Sequence, residues 1–218
     1  MAPRAIAALQ APDLPELTPA TPAVGESGEL ELAGVRVSAS DAAVAARRVR
    51  VRESELQGLV LEPGSTPGLS LVDVVMRACN LSNLDAREGL LTRVAMHGSQ
   101  LVGFGFTRGE VRDLHVTDCS FQLASFASAT LRNAVFERVN LAEASFMDAR
   151  LEAVAFVDCR LDGTDFRRAR LGGCAIRGAS LDGVLGIESL RGVRMPWADV
   201  VSSAGALAAA LGIVPEHD

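Results

Sequence analysis

The chain contains no lysine and no tyrosine. All 21 basic residues are arginine, and aromatic residues are only 4% of 218, eight of them phenylalanine and one tryptophan. So few rings leave no stacking platform for single-stranded nucleic acid. A formal charge of −6 argues against a general nucleic-acid binder as well. The four cysteines lie far apart with no CxxC pair, which fits neither a zinc site nor a secreted disulfide framework. The longest apolar run, 206–214, is too short to span a bilayer and carries a glycine. The opening MAPRAIAALQAPDLP lacks the sustained apolar core of a signal peptide, so a cytoplasmic protein without a membrane segment is expected. No phosphate loop is present, and no histidine has a serine or cysteine nucleophile at an identifiable motif.

What is present is a period. Apolar residues make up 49% of the chain, enough for one compact domain or one elongated array. From 69 to 183 an apolar residue, small only at Ala86, recurs every five positions, from Leu71, Met76 and Leu81 through Phe166, Leu171 and Ile176 to Leu181. Seven of the eight phenylalanines fall in this register, with Phe104 outside it. Two positions earlier runs a smaller register that includes Cys79, Ala124, Ala129 and Cys174. A period of five matches neither a helix at 3.6 nor a strand at 2. A solenoid that turns a corner every five residues points all of them inward.

The segments VNLAE (139–143), ASFMD (144–148), CRLDG (159–163), TDFRR (164–168) and ASLDG (179–183) resemble the motif of the pentapeptide-repeat proteins, A(D/N)LXX. The resemblance covers 69–183 strongly and 30–63 weakly. It implies an all-β solenoid, a right-handed quadrilateral β-helix with four pentapeptides per coil. At twenty residues per coil, like stacks on like, as in Phe106, Phe126, Phe146 and Phe166 on one face and Leu131, Leu151 and Leu171 on another. Both ends of such an array need caps.

The expected organisation is a flexible Pro/Ala-rich tail (1–28), degenerate coils and a loop (29–68), the repeat β-helix (69–195), and a C-terminal helix and tail (196–218). EPGSTPG (62–68) reads as a loop by its proline and glycine content. A capping and dimerisation helix is expected over 196–211, with Gly212 as its stop. Its candidate dimer residues are Trp197, Val200, Val201, Ala204, Leu207 and Leu211.

Cys79, Cys119 and Cys159 share a column two coils apart, about 10 Å, beyond the ~7 Å that a disulfide allows. They read as small buried hydrophobes. His97 and His115 share a face with Thr117 and Asp118 but lack further ligands. His217 lies in the tail. No catalytic residue, metal, cofactor or small-molecule substrate is expected, and convex walls offer no obvious enzyme site.

The resemblance implies action through protein partners. Some relatives bind DNA gyrase as mimics of duplex DNA, protect it from topoisomerase poisons, and dimerise through their C-terminal ends. For that role the candidate contact residues are Asp118, Glu137, Asp148, Asp158, Asp162 and Asp165. DNA mimicry needs an acidic wall, yet residues 69–183 hold 14 Asp and Glu against 13 Arg. The alternative is a scaffold or adaptor that binds another protein along one face, with Ala95, Val135, Ala155, Val157 and Ala175 as a possible apolar strip. No direct nucleic-acid contact is expected under either reading.

Overall fold

The computed structural model describes residues 8–38 and 43–214. Met1–Ala7 of the expected tail, the centre of the register slip near Ser38–Ala46, and His217 lie outside them. The strands are β1 (Thr18–Ala20), β2 (Glu29–Ala33), β3 (Val35–Val37), β4 (Arg48–Gln57), β5 (Gly64–Ser65), β6 (Ser70–Arg77), β7 (Leu84–Asp85), β8 (Leu90–His97), β9 (Glu110–Thr117), β10 (Thr130–Glu137), β11 (Arg150–Val157), β12 (Arg170–Gly172) and β13 (Ala175–Arg177). They stack as a parallel solenoid of about eight turns. The register advances by twenty residues: Leu131 faces Leu151, and Phe136 faces Phe156.

Four walls result. The first centres on Leu71, Leu91, Val111, Leu131, Leu151 and Leu171, the second on Met76, Met96, Val116, Phe136, Phe156 and Ile176. The third centres on Leu81, Leu101, Phe121, Leu141, Leu161 and Leu181, the fourth on Ala86, Phe106, Phe126, Phe146 and Phe166. All of these are buried except the half-buried Leu171. Each long strand from β6 to β11 spans the first two walls and bends between them.

The corners follow one rule. Eighteen non-glycine residues have φ between 48° and 60°, each two positions after an inward-pointing centre. The left-handed region costs an L-residue about 1–2 kcal/mol, which explains why Asp, Asn and Gly are frequent there. The cost is offset because each bend turns the next apolar residue inward.

The core is a ladder of rings. Phe126, Phe146 and Phe166 stack with centroids 5.1 and 5.2 Å apart and planes 6° apart. Phe104, outside the five-residue register, is also buried, and it stacks on Phe106 at 5.8 Å. The Phe106 ring is tilted 58° from Phe126. That orientation needs Gly109, where an added Cβ would lie 2.2 Å from the ring. The next three coils carry alanine there (Ala129, Ala149, Ala169), beneath rings that stack parallel.

Two expectations about the rod change. The 62–68 segment does not project as a loop: Thr66 is fully buried as a fourth-wall centre, and its N–H donates to Asp85 O at 2.8 Å. Prolines set the extended backbone and Gly68 takes the left-handed corner (φ +69°), so the Pro/Gly content completes a coil. The first coils keep to the stack, β2 and β3 each pairing β4, with Leu32 opposite Val51 at a spacing one residue short of twenty. At the far end the helix divides into α1 (Trp197–Ser202) and α2 (Ala204–Ala210) around a fully buried Ser203, with Gly212 (φ 75°) beyond α2.

The expected tail also differs over its described part. β1 pairs with β3, and residues 8–17 run outside the rod as a strap. Leu9, Pro12, Leu14 and Leu17 are half-buried while the residues between them are exposed, and this apolar spacing sets the strap apart from a free tail.

Candidate interaction surface

The outer side chains are mostly polar, and their charges pair along the stack. Arg138 grips Asp118 with two hydrogen bonds (2.7 and 3.0 Å) and also bonds Glu137. Arg168 does the same to Asp148 at 2.7 and 2.8 Å, twenty residues apart. Arg167 folds back on Asp165 and Arg160 on Asp162 within one turn. These guanidinium groups hold the carboxyls of Asp118, Asp148, Asp162 and Asp165 below the usual carboxylate range.

The six acidic candidates are thus distributed over three walls. Asp118, Glu137 and Asp158 lie on the second wall and its far corner, Asp162 on the third, Asp148 and Asp165 on the fourth. All but Asp158 face an arginine in the ion pairs described. Exposed pairs contribute about 0–1 kcal/mol each, so their larger effect is to cancel field. No wall is continuously acidic among the described residues.

The apolar strip is less exposed than its sequence suggests. Ala155 and Ala175 are 1% exposed, and Ala95, Val135 and Val157 are half-buried. These small side chains are flanked in register by their neighbours one coil away. His97 and His115 meet edge to face at 6.3 Å, with His97 Nδ1 on Thr117 Oγ1 and His115 Nε2 3.8 Å from Glu137. No group of three or more His, Cys, Asp or Glu that could hold a metal occurs among the described residues. All four cysteines are free and buried; burial pushes the Cys119 and Cys159 thiols up to about 11.

Five of the nine exposed large apolar groups among the described residues lie at the C-terminal end, Trp197 (78%), Val201, Leu211 (78%), Ile213 and Val214, while Val24, Leu90, Leu123 and Leu185 are scattered along the rod. Of the dimer candidates, Val200, Leu207 and Leu211 line the side toward the last coil, Leu211 at its exposed rim, whereas Trp197, Val201 and Ala204 face outward. Between these helices and the last coil lies an open cleft of about 440 Å³ lined by Leu181, Ile187, Leu190, Val193 and Met195. The helices also cap the solenoid by hydrogen bonding, since Gly178 N–H donates to Asp199 Oδ2 (2.8 Å) and Leu181 N–H to Ser203 Oγ (3.3 Å).

Sequence reasoning missed the corner between the first and second walls. There Asp73, Arg93, Asp113 and Asn133 form a polar column under the strap. The period of twenty lines these residues up, but nothing in it marks the column as covered.

A parallel solenoid with inward residues every five positions and a corner after each is a pentapeptide-repeat β-helix. Residues 113–185 match the family model described as a pentapeptide repeat region. No curated protein matches the chain. Among solved structures it is similar to HetL, a pentapeptide repeat protein involved in heterocyst differentiation regulation from the cyanobacterium Nostoc sp. strain PCC 7120. That match is 17% identical, covers 78% of this chain and 87% of HetL, and has a TM-score of 0.52. Trypsin-treated QnrB1, a plasmid-mediated fluoroquinolone resistance protein, matches at 16% identity over 86% of this chain and 92% of its own, with a TM-score of 0.36.

Proposed function

We propose that the protein is a non-catalytic interaction rod that assembles with another copy of itself through its C-terminal end and presents its walls to a protein partner. The observation that carries this is the exposure of Trp197 and Val201, one helical turn apart on the outer side of α1, with Leu211 exposed at the rim of an open apolar cleft. Clustered apolar surface of this kind marks contact sites. The inward faces of the helices are already committed to the cap, so the outward faces are available for a two-fold contact. Trp197→Asp combined with Leu211→Asp is expected to sediment as a monomer where the parent protein sediments as a dimer. A parent protein that is monomeric at tens of micromolar would refute the assembly.

The gyrase-binding role is the second reading. Its support is the net charge of −6 and the rod shape; the arginine pairing along the walls weakens it. A supercoiling assay with and without a fluoroquinolone decides. Inhibition, or fewer drug-induced cleavage complexes, would favour gyrase. No effect leaves an adaptor for a different protein.

A further inference from the structure

The corner under the strap stands apart from its counterparts. Between the second and third walls, Ala78, Asp118, Arg138 and Asp158 are all exposed, and between the fourth and first so are Glu88, Arg108, Ser128, Asp148 and Arg168. Between the first and second, Asp73 is buried and Arg93, Asp113 and Asn133 are half-buried. The strap is what covers them.

Its contacts read the backbone of an extended chain. Asp13 N–H donates to Asp73 Oδ1 (3.0 Å) and Gln10 N–H to Asp113 Oδ1 (3.2 Å). Asn133 Nδ2 donates to Ala8 O (3.4 Å) and also to Asp113. Arg93 grips Asp73 through two bonds of 2.6 Å and so fixes the carboxylate that receives Asp13. From Ala8 to Asp13 an extended chain covers about 16 Å, and the three coils from Asn133 to Asp73 rise about 14 Å, so strap and column match in pitch. No strand pairing holds residues 8–17; β1 begins only at Thr18. Asn133 Oδ1 is buried and lacks a hydrogen-bond partner among the described residues, leaving a free acceptor at the end of the column.

We infer that this corner is a binding site for an extended peptide and that residues 8–17 are its resident ligand. The partner it fits is an unstructured segment of the same character: backbone N–H groups three residues apart that reach carboxylates two coils apart, a proline that keeps it extended, and leucines that lie against the corner. Such a partner competes with the strap, and the strap sets the threshold for its entry. The inference rests on the reading of the rod as a protein-binding scaffold, but it concerns the side of the rod, not its end.

The test uses the full chain and a labelled peptide of residues 8–17. A tethered segment competes at an effective concentration in the millimolar range, so the parent protein binds the peptide weakly. Gln10→Pro with Asp13→Pro removes the two strap donors and leaves the rod untouched. This variant is expected to expose Glu16 to a glutamyl endopeptidase and to bind the peptide at least about tenfold more tightly than the parent. Adding Asp73→Ala and Asp113→Ala, which removes both acceptors, abolishes the gain. Equal binding to parent and opened variant, no binding to the opened variant, or a strap that stays protected despite both prolines would each overturn the inference. Sedimentation of the same variants reads the C-terminal assembly separately, so a failed peptide site with an intact dimer leaves the scaffold reading standing.

Discussion

At the scale of single residues the fold is decided by position in a five-residue cycle. Inward centres are apolar from Leu71 to Leu181, while the polar centre Thr66 donates its hydroxyl to Ala46 O, and the residue two places later must accept a left-handed backbone. Leu123 meets that second demand badly: it is a branched side chain, 53% exposed, at φ 60°. Asparagine visits this region more readily because its short amide bonds locally. Leu123→Asn is therefore expected to stabilise the protein by about 1 kcal/mol, seen as a higher midpoint in urea at unchanged slope. The cycle explains the cysteines too. Cys79 and Cys159 sit at small inward positions with their thiols donating to Leu56 O and Phe136 O, so they act as packing groups with a local hydrogen bond.

At the scale of elements, legibility follows how local the cause is. The coils from 69 to 183 could be read from sequence because each inward residue is fixed by its own place in the cycle. The coil at 62–68 could not, because Pro and Gly signal a turn without saying whether it closes a wall. The C-terminal cap was legible as an amphipathic helix, but the buried Ser203 that splits it was not. Its burial depends on the orphan Leu181 N–H at the top of the solenoid. Ser203→Ala leaves that N–H unpaired and is expected to cost about 1–3 kcal/mol. Faster hydrogen exchange at Leu181, ahead of the coil amides, is the measurement that checks it. Of the candidate surface, the six carboxylates were visible in the sequence, but their neutralisation by arginines one coil away needed the stack to be built.

At the scale of the whole molecule, acid acts on the strap through Asp73. Arg93 and the Asp13 N–H hold the Asp73 carboxyl below its ordinary value, against the opposing effect of burial. Asp73 thus binds its proton more weakly when the strap is docked. The stabilisation is complete above the ordinary value of 3.8 and is lost as pH falls through the lower value of the folded state. Protection of the Asp13 amide is expected to fall as pH drops below about 4 while amides of β9 and β10 stay protected. His97 adds a milder loss at higher pH. Burial lowers its value below 6.5, so protonation below that point weakens the native state. A thermal midpoint that is flat from about pH 7 to pH 4 would contradict this.

A solenoid has low contact order: each coil touches only the coils beside it, and folding can begin anywhere and spread. The strap breaks that locality. Its hydrogen bonds link residues 60, 103 and 125 positions apart in sequence. In a chain made from its N-terminus, residues 8–17 appear first and their seat at Asn133 last. The strap therefore waits through the assembly of the coils it will cover, and its docking marks the moment when the middle of the rod is complete.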